Sequence, residues 1–482
     1  MTPAIAPLLI LIPLISAPFA YLLRGIGRRA ALLLANAVAH PVGVALLWLH
    51  PSESRPGAWL MVDDLGLVVL SIVSVLFFAV SIYAVAQIRI ETPRGGRAFV
   101  SCLLAFLAAT SLVAASQHMA LLWVGMEATT LAIAPLIYSR DDRRSLEAVW
   151  KYLVLSSVGI ALALLAVFFL ATSQLGDPDS RALMIPDLVS RSAHLDGRWL
   201  RAAFVFALAG FGTKMGLAPL HTWKPDTYGE APSLVGGLMA GALTTCAFLA
   251  LARFTQVITA AGLQNFARPL LISAGLFSLL VATAFIIGQA DIKRLLAYSS
   301  VEHMGLLVLG LGLGGVGPYG SVLHLINNGL IKGMLFLVVG NLVVAAGTSV
   351  VADMRGMQRM RPFSGWLLLA GLFAVTGSPP FGMFISEFLI VSAAVQQHHP
   401  WVATMTVMML AMIFAGIAAM IVEILYGAAP QASLETSTTE RVSSVLSPLT
   451  LGIIVLLLGL YIPSPLQAIV GRAAASLGGT TP

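Results

Sequence analysis

Residues 200–220 read LRAAFVFALAGFGTKMGLAPL, an apolar run of the length that crosses a bilayer, with Lys214 set among glycines ahead of Pro219. No water serves the backbone of a lipid-embedded segment. The Phe211–Pro219 stretch therefore predicts an interrupted helix, tolerated only where protein or a wet cavity satisfies its freed polar groups. An ionisable side chain at that depth costs at least ~2.5 kcal/mol, which makes Lys214 a functional candidate by default. Burial disfavours the charged form of an amine, so such a lysine is suited to taking and giving a proton. A structural ion pair with Glu127, in the fifth span counted below, is the competing reading, and the two are compatible.

Working outward, the whole chain shares this character. It is 58% hydrophobic and 10% charged, against about 25% charged residues in soluble domains. The formal charge of +6 comes from basic residues in short connections between apolar runs, which reads as membrane topology and not as a nucleic-acid face. Cys102 and Cys246 each lie inside an apolar run with no metal-ligand spacing around them, so no metal, cofactor or redox centre is expected. The first apolar run is followed, not preceded, by Arg24, Arg28 and Arg29, and is expected to remain as a spanning helix.

Segments of about 20 apolar residues number fourteen: 4–22, 30–49, 65–86, 98–116, 118–138, 151–173, 200–220, 233–255, 268–288, 295–313, 318–345, 364–395, 400–426 and 446–463. Connections after odd-numbered spans hold Arg24/Arg28/Arg29, Arg89/Arg94/Arg97, Arg140/Arg143/Arg144, Lys224, Lys293/Arg294, Arg355/Arg359/Arg361 and Arg441. Those after even-numbered spans hold Arg55, then Arg181, Arg191, Arg198 and Arg201, then Arg268. The bias places odd connections in the cytoplasm and both termini outside. The twelfth span carries a second interruption, Thr376-Gly377-Ser378-Pro379-Pro380-Phe381-Gly382. Interrupted helices five places apart predict two inverted repeats, spans 4–8 (98–255) and 9–13 (268–426), within one membrane domain covering 1–482. The expected fold is an all-α membrane protein.

Few ionisable residues lie far from any connection. They are Glu127, Lys214, Glu302 and His303 in span 10, His324 and Lys332 in span 11, Glu387 in span 12, and Glu423, read as snorkelling. Lys151 stands at the mouth of span 6. His324, Asn328 and Lys332 recur at i, i+4 and i+8 and so share one helix face. Such a stripe suits a hydrated proton path; a helix–helix hydrogen-bond seam is the alternative. The polar stretch His221–Ala231 is expected to cap a channel mouth or to fix the start of span 8.

Lys214–Pro232, KMGLAPLHTWKPDTYGEAP, resembles the hallmark of the antiporter-like subunits of respiratory complex I, Mrp antiporters and membrane-bound hydrogenases. WVGMEATTLAIAPL around Glu127, DIKRLLAYSSVEHMG from Asp291, LHLINNGLIKGMLF from Leu323 and GSPPFGMFISEF follow the same pattern in the same order. The SVEHMG block and KYLVLSSVGIALALL from Lys151 are most similar to the component of hydrogenase 4 designated F. The resemblance implies proton translocation driven by redox events in neighbouring subunits. It implies that Glu127 tunes Lys214, that protons pass by Lys332 and that Glu387 is the terminal exchange residue, with Lys151, Thr245, Glu302, His303 and Asn328 as a secondary polar axis. Thr245 stands where complex I relatives usually place a lysine, Asn328 where a second histidine is frequent, and Lys224 and Tyr228 where leucine and histidine are usual. The first of these implies a weaker or water-borne central relay.

The expected function is a proton-translocating membrane subunit of an oxidoreductase complex, of hydrogenase 4/formate hydrogenlyase or complex I type, in a bacterial inner membrane. Its partners would be other membrane and peripheral subunits, lipid, and protons or sodium. A subunit of a cation/proton antiporter without a redox partner and a non-conducting scaffold are the competing classes.

Overall fold

Apolar runs of this length close their backbone hydrogen bonds internally only as helices. The computed structural model describes residues 5–50, 57–91, 96–138, 142–175, 183–428 and 440–482, and for 87–91 the backbone alone. Arg55, Arg94, Arg140 and Arg181 lie outside the described residues, as does the side chain of Arg89. In chain order the helices are α1 (Ile5–Leu22), α2 (Ile26–Leu49), α3 (Asp64–Glu91), α4 (Arg97–Ala115), α5 (Met119–Ile137) and α6 (Arg143–Thr172). A short α7 (Ile185–Ser190) leads to α8 (Gly197–Met215), α9 (Trp223–Glu230), α10 (Ser233–Leu238) and α11 (Thr244–Ala260). Then come α12 (Gln264–Ile286), α13 (Ile292–Leu313), α14 (Gly317–Ala346), α15 (Met357–Met360), α16 (Pro362–Val375) and α17 (Gly382–Gln396). The chain ends with α18 (Pro400–Tyr426), α19 (Val442–Leu460) and α20 (Ser464–Ser476). Among the described residues no strand forms.

Among the described residues twelve helices are long and apolar enough to cross a membrane, α10 and α11 counting as one span, Ser233–Ala260. A π-turn, Met239–Leu243, joins these two. The arginine- and lysine-bearing α8 and the half-helices α16 and α17 fall outside that count. The protein is an all-helical membrane protein. α14 is buried along almost its whole length and packs against α13, α16, α17, α19 and α3, so it forms the central post. By contrast α1, α2, α18 and α19 bury only about a third of their spanning stretch. Their outward Leu8, Phe19, Met408 and Leu457 form an apolar belt of the kind lipid covers.

Several boundaries depart from the sequence reading. The break in the seventh span comes after Lys214 and not around it. α8 runs unbroken through Gly212 and stops at Gly216, whose φ of 78° is left-handed and open to glycine without penalty. The Gly216 and Leu217 amides both donate to the Gly212 carbonyl at 2.8 Å, which closes the helix end inside the protein. The polar stretch expected to cap a mouth instead folds back as α9, and Trp223 and Lys224 are fully buried. α6 begins at Arg143, eight residues before the expected start, because the Asp142 carboxylate caps it by accepting from the Ser145 amide at 2.7 Å. The twelfth span is two half-helices separated by 376–381. Between α4 and α5 the loops satisfy the exposed backbone: Gln117 donates to the Trp59 carbonyl and Met119 to that of Leu183, both at 2.9 Å.

Candidate functional site

The last turn of α8 delivers Lys214 to the protein interior with no exposed surface. A helix C-terminus carries partial negative charge, so the position favours a cation. The Lys214 amine donates to the Thr130 hydroxyl on α5, and that hydroxyl donates to the Glu127 carboxylate at 3.1 Å. Lys214 and Glu127 are thus joined through a hydroxyl rather than as a direct ion pair. The Tyr152 ring from α6 lies under the amine at 5.3 Å, and its hydroxyl neighbours Thr130 and Ser156. Trp223 donates to the Thr213 carbonyl at 2.9 Å, which ties α9 back to the end of α8. Glu127 itself is half-buried, so this end of the assembly is the one nearer to solvent or lipid.

A second cluster surrounds α14. His324, Asn328 and Lys332 are fully buried. The Lys332 amine reaches the Leu296 carbonyl at 3.4 Å and lies within electrostatic range of Glu302. The Ser299 hydroxyl donates to Glu302 at 3.2 Å. His324 Nε2 meets His303 Nδ1 at 3.2 Å, while His324 Nδ1 meets the Ser386 hydroxyl at 3.1 Å. Glu387, one residue on in α17, folds back against Gly377 (φ 62°), where a Cβ would lie 3.1 Å from its Oε1. His303, His324 and Glu387 bring nitrogen and oxygen ligand atoms within 4.8 Å of one another. That set could hold a cation, and it equally forms a chain of groups able to pass a proton.

Between the clusters lie Lys224 and Thr245. The Thr245 hydroxyl is turned onto the Gly241 carbonyl within the π-turn and sits against Gly329 of α14. Lys224 is fully buried, and its amine has no hydrogen-bond partner among the described residues. Asn328 is in the same condition at both side-chain polar atoms, and so are His303 Nε2 and Glu387 Oε1. Leaving a buried polar atom unpaired costs about 1–3 kcal/mol, so a run of them is stable only where water can reach it.

The expected axis is corrected at one point. Lys151 is 44% exposed and pairs with Glu147 and Asp226, each at 2.8 Å, so it belongs to the surface. There Asp226 also binds Arg294 at 2.7 Å, beside a charged cavity of about 360 Å³ that includes Arg144 and Glu230. Glu423 likewise lies at the edge, paired with Arg355. Sequence reasoning missed Thr130, Tyr152, Lys224 and Ser386. Hydroxyls in spans carry no signal of their own, although Thr130 is one turn from Glu127. Lys224 sits in a polar stretch that reads as a loop.

The interrupted helices and the polar interior define an antiporter-like, multi-span membrane protein. The family described as NADH:quinone oxidoreductase/Mrp antiporter, TM matches residues 116–415, and the chain belongs to it. It is 35% identical over 361 residues to the hydrogenase-4 component F homolog of Methylacidiphilum infernorum, covering 73% of this chain and 76% of that one. To NADH-quinone oxidoreductase subunit N of Desulforudis audaxviator it is 32% identical over 414 residues, 81% and 80% of the two chains. Its fold is similar to a chain of the archaeal membrane-bound sulfane sulfur reductase, with a TM-score of 0.88 at 21% identity over 98% of each chain. A chain of the Mrp complex from Dietzia sp. superimposes with a TM-score of 0.86 at 18% identity, over 99% and 98%. Both neighbours are chains of membrane complexes.

Proposed function

We propose that the chain translocates protons as a subunit of a redox complex of hydrogenase 4/formate hydrogenlyase or complex I type, coupling electron transfer in its partners to proton movement. The observation that carries this reading is the set of acid, hydroxyl and amine groups that starts at the half-buried Glu127 and continues through the buried Lys214, Lys332, His324 and Glu387 inside a membrane protein. Proton transfer needs groups within hydrogen-bond reach or one water apart. Supporting the complex type is the 35% identity to a hydrogenase-4 component F homolog. We place the chain in a bacterial inner membrane with both termini outside, on the basis of the basic connections. We also read 98–255 and 268–426 as inverted repeats, supported by the interrupted helix standing fourth of five in each.

The test is the tagged complex purified with its own partners and reconstituted into liposomes. Proton movement per redox turnover is then followed with a pH-sensitive dye. Lys214→Met should lower proton movement about a hundredfold with subunit composition intact; undiminished movement would leave a scaffold. Sodium-dependent exchange without any redox partner co-purifying would favour the antiporter class instead.

A further inference from the structure

We propose that Lys224 is the central proton carrier of this axis, shuttling between Lys214 and Lys332; the inference rests on the proton-translocating reading above. No hydrogen bond links the cluster at Lys214 to the cluster at Lys332 among the described residues. On α11 the Thr245 hydroxyl is committed to the Gly241 carbonyl. Lys224 fills the interval from the other side. Its amine packs against Gly216, two residues beyond Lys214, where a Cβ would stand 2.9 Å from Nζ. It also lies within electrostatic range of Lys332 and of His303.

A structural lysine in this region looks different. The Lys293 amine donates to the Gly229 and Ala231 carbonyls at 3.0 and 2.7 Å and so closes the C-terminal end of α9. The Lys224 amine has no such acceptor and no carboxylate beside it, only the Tyr228 ring at 5.9 Å. The charged and titratable groups within its range come from several elements: Lys332 on α14, His303 on α13, His221 before α9 and Tyr228 on α9 itself. An isolated buried charge costs far more than a neutral amine on a flexible four-carbon stem that water can serve. Neutral Lys224 accepts a proton released by the Lys214 ammonium, through water, and passes it to neutral Lys332. One proton advances, no electron moves, and Lys224 returns to its starting state. A charge on Lys332 disfavours one on Lys224, so the proposed relay carries the proton on one amine at a time.

The experiment uses the same reconstituted complex. Lys224→Met should lower protons moved per redox turnover about tenfold or more. Adding Thr245→Lys to it should restore a measurable part by presenting an amine from α11. Lys224→His should conduct with its pH profile displaced toward acid. If Lys224→Met moves protons as the parent does while Lys214→Met does not, the inference fails and the translocation reading stands. If neither change matters, the translocation reading itself fails. Should Lys224→Met not assemble, Lys224→His decides: a pH profile identical to the parent's overturns the proposal.

Discussion

The two helix interruptions use the same device with opposite sign. At the first, a lysine occupies the last turn of the leading half, α8, at a helix C-terminus. At the second, a glutamate occupies the trailing half, α17, and its side chain folds back toward the helix N-terminus at Gly377. Helix ends carry partial charge, negative at the C-terminus and positive at the N-terminus, so each break favours the ion it holds. Their second partners differ as well. Lys214 rests on a hydroxyl and an aromatic ring. Glu387 lies close to two histidines. A break in a membrane helix thus creates a polarised seat whose sign depends on which half carries the side chain.

The largest expected effect breaks the comparison outright. Lys214→Met and Glu387→Gln should each lower proton movement about a hundredfold, within the usual range for losing a proton-transfer group, with assembly intact. A large effect at one break and none at the other would show that only one seat works. Next, Gly377→Val should impair proton movement through Glu387, since its Cβ would meet that carboxylate. It should also lower the melting temperature, because a branched residue is strained at positive φ by about 1–3 kcal/mol. Thr130→Val sharpens the account of the first seat. Removing the hydroxyl between Glu127 and Lys214 should cost about tenfold, equivalent to roughly 1.4 kcal/mol, and Thr130→Ser should restore it.

The smallest effect on proton movement is expected off the axis. Asp63 precedes α3 and grips Arg253 with two contacts of 2.6 Å. Burial pushes its carboxyl up, but the Arg253 charge and hydrogen bonds outweigh this and hold it below the usual carboxylate range. The pair's stabilisation is therefore full at neutral pH and is lost as pH falls through the folded-state value, below that of the unfolded chain. Acid melting curves of the parent should show this loss and those of Arg253→Met should not, while proton movement per turnover stays as in the parent.

Most spanning helices were legible because twenty consecutive apolar residues leave few other structures available in lipid. The exceptions are instructive. α6 extends through RRSLEAVW, residues whose charges read as a connection although they are capped into helix by Asp142. α20, with Arg472 bound to Asp64 at 2.7 Å, is too short and polar to register as a span. Lys214, Lys332, His324 and Glu387 were conspicuous as charges in apolar runs. Lys224 was hidden by its polar neighbours, for its burial depends on α9 folding back under α6 and α13, a tertiary event. The π-turn before Thr245 has no signature beyond glycines such as Gly236, Gly237 and Gly241.

Asp226 shares α9 with Lys224 and clasps Lys151 of α6 on one side and Arg294 of α13 on the other. This end of the molecule is therefore stapled across two helix groups by a single carboxylate. All three members meet solvent, and exposed pairs of this kind are worth about 0–1 kcal/mol each. The staple is soft. Thermal motion or raised salt can open it, and any slackening at Asp226 is felt two residues away in the same helix, at the buried Lys224.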